Sequence, residues 1–190
     1  MQVGLYFGSF NPIHIGHLAL ANYFTEYSNV NEVWFVVSPQ NPLKEKAQLL
    51  NQNNRLHLIE LAINKHPKMR SSSIEFNLPQ PSYTINTLAH LKEKYPTFKF
   101  SLIIGEDNLE NFSKWRNYEY ILENYILLVY PRPGSKKSQF HTHKNVKIMN
   151  APLIEISSTF IRNAIKTNKD IRFFVPDKVW EEINVSGFYK

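Results

Sequence analysis

The hydrophobic pattern divides the chain into short apolar runs and longer periodic stretches. Four runs, Val3–Phe7, Val33–Val37, Phe100–Ile104 and Ile126–Tyr130, lack the polar alternation of a half-exposed strand. Continuous runs rich in Val, Ile and aromatics suit parallel strands covered on both faces. Between them the spacing turns helical. His17, Leu20, Ala21 and Phe24 fall at i, i+3, i+4, i+7, and Leu56, Ile59 and Ile63 at i, i+3, i+7. Leu88, Leu91 and Tyr95 repeat that spacing after Ser82-Tyr83-Thr84, and Pro96 ends the stretch because proline cannot continue a helix.

Strand and helix in alternation imply βαβ units with right-handed crossovers, hence an α/β fold with a doubly wound, mostly parallel sheet. Arg132 to Lys144 mixes Pro, Gly, Ser, Lys and His without periodicity and reads as a surface loop, with His141 and His143 solvated. A short strand, Val146–Met149, and two C-terminal helices, Ser157–Lys166 and Pro176–Asn184, follow. No repeat or linker divides the 190 residues, which are expected to form a single domain, 1–190.

Composition narrows the chemistry. The chain has no cysteine, which excludes disulfides, thiolate nucleophiles and thiolate metal sites. No apolar run reaches the roughly 18 residues that span a bilayer. The N-terminus enters a strand without a basic region and apolar helix, so a cytoplasmic protein without a membrane partner is expected. The net charge of +6 favours an anionic partner, either a nucleic acid or a small polyphosphate. The basic residues are scattered, and their densest clusters (Lys136, Lys137 and Lys144, Lys147) fall in and beside the loop. That is a solvated surface rather than a groove for a long nucleic acid, so no nucleic-acid partner is expected.

The stretch Gly4-Leu5-Tyr6-Phe7-Gly8-Ser9-Phe10-Asn11-Pro12-Ile13-His14-Ile15-Gly16-His17 places a turn and two histidines where the first strand hands over to a helix. In a doubly wound sheet, ligands gather outside the C-terminal strand ends. Unpaired N–H groups at a helix start favour an anion, and glycine lets the backbone approach it. His14 and His17 would add directed donors. A zinc pair is the weaker reading, because no third and fourth ligand stand at suitable spacing. A helix cap alone is the plainer one. Neither G-x-G-x-x-G nor G-x-x-x-x-G-K-[ST] is present, which argues against hydride transfer and P-loop hydrolysis.

His14-Ile15-Gly16-His17 after a Gly-Ser-Phe-x-Pro turn resembles the first signature of the adenylyltransferase branch of the nucleotidylyltransferase superfamily. Ile156-Ser157-Ser158-Thr159-Phe160-Ile161-Arg162 is similar to its second signature, I-S-S-T-x-I-R, near the other end of the chain. Within the branch, the whole chain resembles the bacterial nicotinate-nucleotide adenylyltransferases. Pro39 to Lys44 is similar to their Pro-rich loop, Arg55 to the arginine opening the next helix, and Pro81-Ser82-Tyr83-Thr84 with Thr87 to P-S-Y-T-x-x-T. Gly105-Glu106-Asp107 with Trp115, and Arg132-Pro133-Gly134, match further segments. The chain departs from the family at Phe7 for glycine, Asn11 for aspartate and Arg116 for tyrosine.

The resemblance implies a Rossmann-like nucleotidylyltransferase fold and transfer of the adenylyl group of ATP to nicotinate mononucleotide, releasing pyrophosphate, in NAD biosynthesis. The attacking phosphate is already an anion near neutral pH. Positioning and electrostatics, rather than a strong base, would supply most of the rate. By resemblance, His14, His17, Arg162 and Lys44 carry the catalysis. Gly8, Ser9, Phe10, Gly16, Ser157 and Ser158 join them around the ATP phosphates, with Gly105 and Asp107 at the adenosine ribose. Lys44, as a mobile clamp, with Asn11, Tyr83, Thr84 and Trp115, would serve the mononucleotide, whose pyridinium suits an indole face. Mg2+ would arrive bridging phosphate oxygens, since the sequence offers no carboxylate cage. A homo-oligomer is compatible with the sequence. Two alternatives are a pantetheine-phosphate adenylyltransferase and a non-catalytic basic nucleotide- or RNA-binding protein.

Overall fold

The computed structural model describes residues 1–39 and 49–190. Six strands form one sheet: β1 (Gln2–Gly8), β2 (Glu32–Val37), β3 (Met69–Ser72), β4 (Lys99–Gly105), β5 (Ile126–Tyr130) and β6 (Val146–Ile148). Their order is β3-β2-β1-β4-β5-β6, and every neighbouring pair is parallel. The order reverses between β1 and β4, so a crevice opens beyond Gly8 and Gly105.

The pleat explains why the strands read as unbroken apolar runs. On β2, Val33, Phe35 and Val37 enter one core cluster, while Trp34 and Val36 enter the other. Tyr6 and Leu5, Ile103 and Leu102, Leu128 and Leu127 divide in the same way. Each face is then covered by helices. The Tyr6 side receives α1 (Ile15–Tyr27), α2 (Gln52–Ile63), and the C-terminal pair α6 (Ser158–Lys166) and α7 (Asp177–Ser186). The Leu5 side receives α3 (Thr84–Lys94), α4 (Glu106–Glu110) and α5 (Tyr118–Asn124). Completely buried anchors such as Phe24 on α1 and Leu88 on α3 each contribute roughly 1.5–3 kcal/mol by leaving water.

Three elements were not expected. Met69–Ser72 carries one buried apolar residue, too little for a pattern, yet it pairs with β2 from Val33↔Met69 to Val36↔Ser72. Arg70 clasps Glu32 across that edge, with Nη2–Oε1 at 2.9 Å and Nε–Oε2 at 2.8 Å, while Trp34 Nε1 donates to the same carboxylate at 2.8 Å. Helices α4 and α5 are too short to show periodicity. The Arg132–Lys144 stretch is a loop, but its histidines are half-buried and partnered rather than free in solvent. His141 accepts from Ser138 N–H (2.9 Å) and lies 3.6 Å from Glu106; His143 Nε2 lies 3.3 Å from Glu123. With Phe140 edge-on to Phe112 at 5.7 Å, they fasten the loop to α4 and α5.

Candidate active site

The first cluster is built where β1 ends. Ser38 N–H donates to the Gly8 carbonyl (3.0 Å), tying the ends of β1 and β2 together. The chain then turns through Phe10, whose φ of 44° is unusual for a bulky residue. The ring that this conformation swings inward explains Gly8, because a Cβ there would meet Phe10 Cζ at 2.8 Å. Phe10 packs edge-on to Tyr6 (5.7 Å), Phe35 (5.5 Å) and His17 (5.1 Å). Phe10 is 2% exposed, and its ring acts as a core wedge beneath the turn.

His14 occupies the N-cap of α1, and its N–H donates to His17 Nδ1 at 3.3 Å. The two rings stack with centroids 3.7 Å apart. An accepting Nδ1 places the proton of a neutral His17 on Nε2. Burial, with a smaller push from the Arg132 charge, lowers the His14 pKa to about 4, so His14 is a neutral imidazole at pH 7. Gly16 has a packing reason: a Cβ would strike Ile154 Cγ2 at 2.8 Å and His14 Nδ1 at 3.1 Å.

The C-terminal signature closes over this turn. Ser157 caps α6 by accepting from Phe160 N–H (3.1 Å). Ser158 Oγ donates to the Pro12 carbonyl at 2.8 Å, and Arg162 Nη1 to the Asn11 carbonyl at 2.8 Å. Arg162 Nη2 is held by Thr159 Oγ1 (3.2 Å), while Nε is buried without a hydrogen-bond partner. The starts of α1 and α6 are thereby locked side by side.

A second feature is a cavity of about 380 Å³ at the β1/β4 crevice. Gly8 and Ser38 line it beside the histidine turn, with Gly105 and Ile104 on the β4 side. Tyr83, Thr84, Trp115 and Arg116 line it further along, with Lys114 adding a second cation. The Arg116 guanidinium sits over the Tyr83 ring at 5.0 Å. Trp115 is tilted against Phe112 at 5.2 Å. Tyr83 caps α3 without a side-chain hydrogen bond, so the Thr84 end keeps its backbone donors.

The structure gathers His14, His17, Gly8, Ser9, Gly16, Ser157, Ser158 and Arg162 into one region, and Tyr83, Thr84, Trp115 and Gly105 around one cavity. Asp107 stands beyond Gly105, 3.8 Å from Arg132 Nε. Asn11 is buried outside the cavity lining, and its Oδ1 accepts from Leu50 N–H (3.2 Å), bracing the turn. Lys44 lies outside the described residues. Two buried residues carry more of the site than their sequence context announces. Arg55, fully buried, donates from Nε to the Leu50 carbonyl (2.8 Å), from Nη1 to those of Ser9 (2.6 Å) and Ser38 (3.0 Å), and from Nη2 to Pro39 (3.2 Å). Glu75, 2% exposed, lines the cavity. Neither has a spacing that marks it; only the family likeness singled out Arg55.

Among the described residues no group of three or more His, Cys, Asp or Glu could hold a metal ion, and no helix is long and apolar enough to cross a membrane.

Residues 5–164 match the cytidylyltransferase-like family model. Over 192 residues the chain is 55% identical to a probable nicotinate-nucleotide adenylyltransferase of Flavobacterium psychrophilum, covering 100% of both chains. It is 50% identical over 183 residues to the protein of the same name from Bacteroides thetaiotaomicron, covering 96% of this chain and 91% of that one. The solved Plasmodium falciparum nicotinic acid mononucleotide adenylyltransferase, complexed with NaAD, superposes with a TM-score of 0.82 at 19% identity, over 99% of this chain and 97% of that one. The fold is therefore shared with that enzyme, and the chain belongs to the cytidylyltransferase-like family and, within it, to the nicotinate-nucleotide adenylyltransferases.

Proposed function

We propose that the 190 residues act as one unit that joins ATP to nicotinate mononucleotide. A phosphate oxygen of the mononucleotide attacks the α-phosphorus of ATP. The new O–P bond forms as the bond between the α-phosphorus and the β-bridging oxygen breaks, giving nicotinate adenine dinucleotide and pyrophosphate. The nucleophile enters as an anion, so no side chain needs to remove a proton from it.

The observation that carries this reading is the Ser158–Pro12 and Arg162–Asn11 lock, which holds two helix N-termini around one turn. Paired helix starts favour the triphosphate through their unpaired N–H groups and dipoles. His17 is the residue we assign to the charge that grows as pyrophosphate leaves. His14, buried and neutral, donates without carrying charge in the free protein. Ser157 and Ser158 amides, with Arg162, take the outer phosphates. Gly8, Ser9 and Gly16 contribute backbone approach, and Gly105 with Asp107 the adenosine ribose.

The cavity suits the acceptor. Trp115 offers a face to the pyridinium, and the Thr84 helix start with Arg116 offers donors and positive charge to the ring carboxylate. A divalent cation, which we take to be Mg2+, enters with ATP on phosphate oxygens and water; the donor set of the described residues does not suit a resident ion.

The test is pyrophosphate release from ATP with each candidate acceptor. Release with nicotinate mononucleotide is expected. Release with 4′-phosphopantetheine alone would reject the acceptor, and salt-sensitive oligonucleotide binding without any turnover would reject catalysis.

A further inference from the structure

Glu75 lies in a single 3-10 turn, residues Ile74–Asn77, and has no part in the adenylyl-transfer scheme above. Thr87 Oγ1 donates to its Oε1 at 2.7 Å, and the Gln80 side-chain amide donates to its backbone carbonyl at 3.1 Å. Its other carboxyl oxygen, Oε2, is buried and makes no hydrogen bond. Burial pushes the carboxyl pKa up; the Thr87, Ser38 and Ser82 hydroxyls oppose that by favouring the charged form. A brace between this turn and α3 needs one acceptor atom, and Thr87 already uses it. The second oxygen stays buried with no hydrogen bond of its own, eased only in part by the nearby Ser38 and Ser82 hydroxyls, which is costly unless a further group donates to it.

Its position says what that donor is. On one side stands Ser38, whose N–H is tied to the Gly8 carbonyl at the phosphate end of the cavity. On the other stand Ser82 and Thr87 at the opening of α3, beside the Tyr83–Trp115 end. A mononucleotide with its phosphate at Gly8 and its ring at Trp115 brings its sugar past Glu75. Ribose hydroxyls are donors. A ring carboxylate is not, and would be repelled here.

We propose that Glu75 is a specificity-determining residue of the acceptor pocket, its unpaired Oε2 accepting a hydrogen bond from a ribose hydroxyl of the bound mononucleotide. The pocket then demands a hydroxyl donor on the acceptor sugar. This rests on the adenylyl-transfer reading for the ligand's identity.

The experiment is calorimetric titration of the wild type, Glu75→Gln, Glu75→Met and Thr87→Val with nicotinate mononucleotide and its 2′-deoxy and 3′-deoxy analogues. The wild type should bind the ribonucleotide about tenfold more tightly than one deoxy analogue, the upper end for a single buried hydrogen bond. That preference should shrink at least roughly threefold in Glu75→Gln and vanish in Glu75→Met, with deoxy binding unchanged. Thr87→Val, which removes only the brace, should keep it. A ribose preference that is absent from the wild type, or equal in wild type and Glu75 variants, overturns the proposal. So does equal weakening of all three ligands, the mark of a brace alone. Where Glu75→Met fails to fold, Glu75→Gln decides. Pyrophosphate assays on the same wild-type samples separate the two readings. The expected binding ratios without turnover sink the transferase and keep Glu75; turnover with a variant-independent ribose preference does the reverse.

Discussion

Ser158 Oγ donates to the carbonyl oxygen of Pro12, a hydrogen bond of 2.8 Å between residues 146 apart in sequence. With Arg162 on the Asn11 carbonyl it fixes the angle between the openings of α1 and α6. Ser158→Ala should cost about 1 kcal/mol, shifting the melting temperature by roughly 2–4 °C. The loss in kcat/KM should exceed that share, since a misplacement near 1 Å can cost on the order of a hundredfold. Arg162→Lys, which keeps the charge but loses the fork, should lower kcat/KM by a similar factor. Melting curves beside steady-state assays check this; an activity loss no larger than the stability loss would refute a positioning role.

His17→Ala should reduce kcat by roughly two to three orders of magnitude, the usual effect of losing a preorganised donor to developing charge. The KM for either substrate should move much less, because the interaction belongs to the transition state. His17 also closes the cap of α1 through the His14 N–H, so His17→Asn, which can accept that hydrogen bond, should recover stability without recovering rate. Recovery of rate by His17→Asn would move His17 from chemistry to capping.

His14 makes the fold sensitive to acid. Its pKa falls from 6.5 to about 4 on folding, chiefly by burial. Below pH 6.5 the unfolded chain takes up a proton that the folded chain refuses, so stability declines as pH falls from 6.5 toward 4. The shift corresponds to a loss on the order of 3 kcal/mol once both states are protonated. Urea midpoints across that range should therefore drop more steeply for the wild type than for His14→Gln. Parallel curves would show that His14 is not the group responsible. Bound ATP should flatten the wild-type curve, because phosphate charge favours the protonated ring.

How far the sequence discloses this protein depends on the scale at which information is stored. Val33–Val37 and Phe100–Ile104 are legible because a strand covered on both faces must be apolar at successive positions, and β2 is buried throughout. Met69–Ser72 is not, since an edge strand needs only backbone pairing and Arg70 supplies its register from one side. The histidine turn and the Ser158–Arg162 segment are legible as family signatures; that they touch is a tertiary fact. Asn11 and Phe10 sit inside a signature yet face inward, because a turn that presents its backbone to a ligand must bury some of its side chains. Arg55, through its four carbonyl bonds, and Glu75, through a buried unbonded oxygen, depend on tertiary surroundings that no linear spacing encodes.

In the proposed scheme Trp115 and Arg116, which line one cavity, divide recognition of the acceptor ring. Trp115→Ala should raise the KM for nicotinate mononucleotide by roughly tenfold or more through lost stacking, leaving the ATP KM within about twofold. Arg116→Gln removes an exposed charge, so its effect should be about threefold and fade with added salt. The measurement is a pair of substrate-saturation curves at two ionic strengths. A change confined to the ATP KM would place the cavity on the wrong substrate.

Arg55 offers the sharpest separation of structure from chemistry. Its guanidinium is completely buried and satisfies four backbone carbonyls, those of Leu50, Ser9, Ser38 and Pro39, without a carboxylate partner among these bonds. Burial lowers its pKa to about 10, which still leaves it charged at pH 7. Arg55→Met fills the space but leaves those carbonyls without their donor, and should cost about 3–5 kcal/mol. Arg55→Lys should recover less than half of that, because one ammonium cannot reproduce the spread of the fork. Denaturant midpoints at constant slope measure both. Ser9 and Ser38 flank Gly8, so the folded fraction of Arg55→Lys should also show a lowered kcat that ligand saturation does not restore. Full activity per folded molecule would confine Arg55 to holding the chain together.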